Sequence, residues 1–219
     1  MDDHDRLAAL PWLTTLDPVV RAELIARGRW RRQAAGEWLH GEGDEETGVV
    51  AVVRGALHLH AKAPGGREVL FAVLPEGGIM GQSILFGGGP RLVTAISAVE
   101  SHLFLLSDRV LRQAAERHPT LWPSLSALLY GQLRAVVGSL AEFVALKPRD
   151  RMISRLLALS AFTDAVPVSQ SALAEMTGVS RNAVNGWLGE LERSGKLVRG
   201  YGTIRILDRP GLRRLVGEP

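Results

Sequence analysis

The sequence predicts an α+β protein: an N-terminal β-roll or barrel, then a long helix, then a C-terminal winged helix-turn-helix. Three observations carry this. From about Trp30 to Leu106, short runs rich in Val, Ile and Leu alternate with glycine pairs, as in many-stranded β folds. Residues 121–146 form one stretch with few helix breakers. Residues 169–207 hold two capped helical segments followed by two short β runs. The expected divisions are 1–118 for a sensor domain, 119–146 for a dimerisation helix and 147–219 for a DNA-binding domain.

The N-terminal part opens on a helical entry over residues 6–28. Asp17-Pro18 starts a helix, and Val19, Val20, Leu24 and Ile25 follow at helical spacing. The strand candidates include Val49 to Val53, Ala56 to His60 and Val69 to Leu74. Arg54-Gly55, Pro64-Gly65-Gly66, Gly77-Gly78 and Gly87-Gly88-Gly89 punctuate them, because glycine suits tight turns. Ser107 with Asp108 offers the next helix cap.

Within the long stretch, Leu129, Leu133, Val136, Leu140 and Phe143 fall at spacings of 4, 3, 4 and 3. That is the seam of a two-stranded coiled coil and makes these residues the expected dimer interface; an ordinary core-facing helix gives similar spacing. Val137 and Val144 widen the stripe. Lys147-Pro148-Arg149-Asp150 interrupts it as a hinge, and a helix over 150–161 follows.

The segment from Ser169 to Leu188 carries the function. Ser169 caps a short helix through Met176, Gly178 makes the turn, and Ser180 caps a second helix. Leu173, Val179, Val184 and Trp187 supply the expected core, with small Ala174 at the helix crossing. This is a helix-turn-helix, whose second helix enters the DNA major groove. Arg181 can donate two bonds to guanine, and Asn182 and Asn185 can pair with adenine. Ser169, Gln170, Ser171 and Ser180 lie where hydroxyls and helix N-termini meet phosphates. Leu197-Val198-Arg199 and Thr203 to Leu207, joined at Gly200-Tyr201-Gly202, form a wing whose Lys196, Arg199 and Arg205 can follow phosphates.

Composition agrees. Residues 1–146 hold 14 Lys/Arg and 16 Asp/Glu, while residues 147–219 hold 12 and 7, so the basic excess lies with the helix-turn-helix. The chain has no cysteine, which excludes disulfides, thiolate nucleophiles and iron–sulfur ligation. The acidic N-terminus is no secretory signal, and runs such as 49–53 and 103–106 are too short to span a bilayer. A soluble cytoplasmic protein with no membrane partner is expected. No catalytic triad, nucleophile elbow, metal triad or Walker loop is visible, so no enzyme is expected. The competing reading is a ligand-binding module whose C-terminal domain meets proteins; the basic tail and Arg181 argue against it.

The whole chain resembles the Crp/Fnr (cyclic-AMP receptor protein / fumarate-nitrate regulator) family over about residues 20–215. The resemblance rests on the glycine-punctuated strands ending in Gly81-Gln82-Ser83-Ile84-Leu85, on Pro90-Arg91, on the seam helix, on Arg151 to Leu159 and on Ser180-Arg181 with Val184. It implies a double-stranded β-helix, the cyclic-nucleotide-binding-like jelly roll. It also implies a homodimer on double-stranded DNA with a palindromic operator, and a small-molecule effector in the roll. RNA polymerase is a candidate further partner. Effector contacts then fall on Gly81, Gln82, Ser83, Arg91, Leu92, Val136 and Val137. The family's usual Gly-Glu is Gly81-Gln82 here, its small hydroxyl residue after the arginine is Leu92, and valines replace the seam-helix hydroxyls. Glutamine lacks the charge-assisted strength of a carboxylate. An effector other than cyclic AMP held in the usual manner is therefore expected. His58 and His60 are expected to face solvent on one strand, with His40 and His102 isolated, so no metal or haem ligation is expected. Gly186 and Asn182 stand where many members carry arginine and glutamate, so the operator is expected to differ from the well-known ones.

Overall fold

Side-chain caps set most helix starts in the computed structural model, which describes residues 2–45, 48–160, 164–200 and 202–217. Asp2 caps α1 (Asp3–Ala8); α2 (Pro11–Thr14) follows, and Asp17 caps α3 (Pro18–Arg27). Pro18 sits in the first turn of α3, where its missing N–H costs nothing. The helical entry is thus three short helices. Val20 and Leu24 are buried, but Val19 is exposed, because the first turn of α3 offers it no core.

Eight strands follow: β1 (Arg29–Gln33), β2 (Trp38–His40), β3 (Gly48–Arg54), β4 (Ala56–Lys62), β5 (Glu68–Pro75), β6 (Ile79–Met80), β7 (Thr94–Ser97) and β8 (Ser101–Ser107). A 3₁₀ turn over Gln82–Phe86 separates β6 from β7. One sheet has the order β1-β8-β3-β6 and the other β2-β7-β4-β5, with β1–β8, β3–β8, β3–β6, β2–β7 and β4–β7 paired antiparallel. The chain then forms α4 (Asp108–Arg117), capped by Ser107, and the long α5 (Leu121–Ala145). The rest is α6 (Pro148–Leu159), β9 (Ala165–Val166), α7 (Gln170–Thr177), α8 (Arg181–Arg193), β10 (Leu197–Arg199), β11 (Ile204–Ile206) and α9 (Arg209–Leu215).

The chain packs as two units, Met1–Ala61 with Leu74–Ala135 and Lys62–Val73 with Val136–Pro219. In the first, β3 is buried on both faces. Val49, Ala51 and Val53 pack with Leu7, Leu24, Phe104, Leu111 and Leu125 under the helices, while Val50 and Val52 pack with Leu57, Ala95 and Leu103 between the sheets. A strand covered on both sides reads as an unbroken apolar run, which is why residues 49–53 do not alternate.

In the second unit, β11 lies between β10 and β9, so the wing hairpin extends into a three-stranded sheet. Gly200 N–H donates to Thr203 O (2.8 Å) across the turn; Tyr201, in that turn, lies outside the described residues, as does Ala161 at the expected end of α6. Ile153, Leu156, Val166, Leu173, Val184, Leu188, Leu197 and Leu212 are buried in this unit. Lys147 is the N-cap of α6 and Pro148 its first residue, so the proline that ends one helix starts the next.

Buried Arg151 fastens this junction. Its guanidinium donates to Thr177 O (3.0 Å) and Phe143 O (3.0 Å), and it stacks 4.1 Å over the Phe143 ring. A cation suits the C-terminal carbonyls of α5 and α7. In α5, exposed Leu133, Val136, Val137, Leu140 and Val144 form an apolar face. The helix is long and apolar enough to cross a bilayer by length and composition alone, which inspection of the short β runs does not reveal.

Candidate nucleic-acid interface and effector pocket

The turn between α7 and α8 is built locally. Ser169 Oγ accepts from Ala172 N–H (3.0 Å), and Ser180 Oγ accepts from Ala183 N–H (3.2 Å). Between them Gly178 adopts φ +68°, the left-handed conformation that ends α7. Each cap hydroxyl keeps its own proton to donate, so capping does not remove it from phosphate contact. Leu173, Ala174, Val184 and Leu188 are buried as the helices cross, and Met176 and Leu191 join them. Val179 and Trp187, expected in this core, are only half-buried; Leu188, one residue on, takes the inward position instead of Trp187.

The other face of α8 presents Arg181, Asn182, Asn185 and Gly186, all exposed. These are successive members of one stripe, since residues four apart share a helix face. Ser171 is exposed beside the start of α7 and Gln170 is half-buried.

In the wing, Arg199 is half-buried and makes several bonds within the unit. Its Nε and Nη2 meet Glu192 Oε2 (2.8 and 2.6 Å), its backbone N–H donates to Glu192 Oε1 (2.8 Å), and its Nη1 donates to Asn185 Oδ1 (2.8 Å). These bonds, the backbone one first, hold the Glu192 carboxyl below its ordinary pKa. Lys196 Nζ lies 3.6 Å from Asp208 Oδ2, a loose and partly exposed pair, while Arg205 is exposed. Sequence reasoning misses Glu192 because the helix-to-strand bridge spans seven positions and belongs to neither element's own pattern.

In the same unit, Glu175 on α7 accepts from the backbone N–H of Leu70 (2.7 Å), on the segment 62–73. No periodicity announces a contact over 105 positions.

Of the expected effector residues the structure brings Gly81 and Arg91 together, since a Cβ on Gly81 would lie 2.3 Å from Arg91 Nη1. Gly81 precedes the 3₁₀ turn, and Gln82 is buried within it. Gln82 Nε2 donates to Gln132 Oε1 (2.8 Å), and Gln132 Nε2 donates to Ile79 O (2.7 Å). The amide expected to meet a ligand hydroxyl is thus already engaged, by a partner fifty positions away. Ser83 is half-buried and Leu92 is exposed. Val136 and Val137 lie exposed on the part of α5 that belongs to the second unit. Arg91 alone of the set lines a cavity of about 600 Å³, with Arg27, Arg29, Arg31, Arg109, His40 and Asp44 among the other lining residues. Arg91 Nη1 donates to Gly48 O (3.0 Å). Burial, then the neighbouring Arg91 charge, push the His40 imidazole down to about 4 against the pull of Asp44.

His58 and His60 are half-buried with their rings 6.2 Å apart, and His102 Nδ1 meets Asp3 Oδ2. Among the described residues no cluster of three or more His, Asp or Glu could hold a metal ion.

Comparison with known proteins matches this arrangement part by part. The cyclic nucleotide-binding domain family matches residues 30–118, and the Crp-like helix-turn-helix domain family matches residues 150–215. The chain belongs to the Crp/Fnr family of transcription regulators. A CRP-like cAMP-activated global transcriptional regulator of Mycobacterium tuberculosis is 24% identical over 169 residues, covering 73% of this chain and 75% of that protein. The transcriptional regulator SdrP of Thermus thermophilus is 27% identical over 172 residues, covering 75% and 81%. The structure of FixK2 from Bradyrhizobium japonicum superposes with a TM-score of 0.75 at 21% identity, over 86% of this chain and 96% of that one, and so shares the fold. The Crp/Fnr assignment makes this chain a transcription regulator rather than an enzyme.

Proposed function

We propose that this Crp/Fnr chain is a cytoplasmic homodimer that reads a two-fold DNA site and is controlled by a small molecule in its N-terminal unit. The observation that carries the reading is the exposed stripe of Arg181, Asn182 and Asn185 on α8, set on a buried Val184–Leu188 face and flanked by serine caps. Arginine and asparagine are the side chains that match base edges in the major groove. A protein-contact module has no need of this stripe. Dimerisation through α5 is supported by its exposed Leu133, Val136 and Leu140, whose burial against a second copy removes the apolar area that otherwise faces water.

The effector differs from cyclic AMP held in the usual way. One relative bears the name cAMP-activated, yet here the Gln82 amide is closed onto Gln132 and Leu92 points to solvent. Titration calorimetry with cyclic AMP is expected to show no binding at micromolar concentration.

The test is selection of sites from random duplex DNA by the purified full chain, alone and with cyclic nucleotides or cell extract. Enrichment of a palindrome with half-sites about 34 Å apart is expected, with affinity falling steeply as salt rises. No enrichment under any of these conditions overturns the DNA reading.

A further inference from the structure

Arginine can only donate hydrogen bonds. Arg199 Nη1 lies 2.8 Å from the Asn185 side chain, so the asparagine must turn its carbonyl oxygen toward the guanidinium. The opposite amide orientation would set donor against donor, so the network fixes the assignment independently of how the two ends are drawn. Glu192 holds Arg199 from the other side through Nε, Nη2 and the backbone N–H.

We propose that the Glu192–Arg199 pair is a specificity device that makes Asn185 a donor-only reader, so that it favours guanine and not adenine at its base pair. The proposal rests on the DNA reading above. Adenine recognition by asparagine needs both ends of the amide: the oxygen accepts from N6 while the NH₂ donates to N7. Arg199 takes one of the oxygen's two lone pairs and sets a cation beside it, so an adenine N6 amino group approaching the other lone pair meets the guanidinium, while the NH₂ is left to donate. Guanine offers two acceptors, O6 and N7, to such a donor, whereas cytosine offers an amino donor that repels it. Arg199 and Glu192 touch no base; they are positioning residues that act through Asn185.

The experiment is site selection with the full chain as wild type, Arg199→Met, Glu192→Gln and Asn185→Ala, with folding checked by circular dichroism. The wild type is expected to select guanine at one base pair, and Asn185→Ala to lose that preference alone. Arg199→Met keeps the stem but frees Asn185 Oδ1, and is expected to move the preference at that pair toward adenine by about ten-fold. Glu192→Gln, which loosens Arg199 without deleting it, should give a smaller move in the same direction. Replacing the selected guanine by 7-deazaguanine should weaken the wild type and not Asn185→Ala. Selection of adenine by the wild type overturns the proposal, as does an Arg199→Met chain that keeps guanine; in both cases an enriched palindrome leaves the DNA reading standing. A chain that enriches no sequence overturns the DNA reading and this device with it.

Discussion

In α8, Arg181 and Asn182 stand exposed on a face that holds no core residue, while in the β-roll Gln82 is buried and bonded to Gln132, and Arg91 reaches the Gly48 carbonyl. Both sets are polar residues that the family places at binding sites. One set is exposed, while in the other Gln82 is closed on the chain itself and Arg91 spends one bond on the backbone at the edge of a cavity. An open polar face costs nothing in water and gains its bonds on binding. A closed one has already exchanged water for protein partners, so a ligand must break those bonds before making its own. Under the proposed function, α8 would meet DNA with groups already in place, whereas a ligand in the roll would have Arg91 at its cavity but would find the Gln82 amide engaged.

The largest test of the open side is the seam of α5. Leu133→Glu with Leu140→Glu puts like charges on the exposed apolar face, which costs several kcal/mol, roughly, where two such faces meet. Sedimentation should then show a monomer at concentrations where the wild type is a dimer; an unchanged dimer removes α5 from the interface. Next, Arg181→Ala should lose about 1–3 kcal/mol of binding at the selected site and relax one base pair. Its melting temperature should stay at the wild-type value, because the side chain is exposed. Equal loss on all sequences would make Arg181 a phosphate ligand.

The closed side shows itself in stability. His40 is held neutral down to about pH 4 when folded, against an ordinary value of 6.5. The unfolded chain therefore takes up a proton below about 6.5 that the folded chain refuses until about 4. Stability from this group is intact above 6.5, falls as pH drops through that window, and levels off below it. Allowing for partial screening, the loss is about 2 kcal/mol. Urea unfolding at pH 7, 5.5 and 4 should show this extra slope in the wild type and not in His40→Leu. Smallest is Gln82→Leu, which strips Gln132 of its partner and should cost about 1 kcal/mol of stability while leaving the selected DNA site unchanged.

The legible parts of the molecule are those in which a few neighbouring residues decide the structure. Ser169, Gly178 and Ser180 each act within four positions, so the helix-turn-helix is readable from them. The Val49–Val53 run announces a strand, and the even spacing from Leu129 to Phe143 announces a helix. Periodicity alone does not choose between two adjacent candidates for the same inward place, and Trp187 loses to Leu188 once α6 and α7 are packed. The links that remain hidden are long-range pairs of polar groups: Gln82 with Gln132, Leu70 with Glu175, Arg199 with Glu192 and Asn185. Each depends on where the fold brings two elements together, and neither partner carries a mark of the other in its local sequence.

The double burial of β3 has a consequence for how the roll assembles. In most half-buried strands a slip of one residue drives polar groups inward and is rejected at once. Here such a slip exchanges valine for valine or alanine on both faces, and the middle of the strand scarcely resists it. The resistance lies at the two ends. A Cβ on Gly48 would lie 2.3 Å from Leu106 O, and one on Gly55 would lie 2.6 Å from Glu100 O. Either glycine shifted by one place would bring a side chain into that space. The pairing of β3 with β8 itself shifts between Val52 and Arg54. Alignment of the central strand is thus written at its borders, where the left-handed backbone of Gly48 and Gly55 and the closeness of the neighbouring strand leave no room for a side chain.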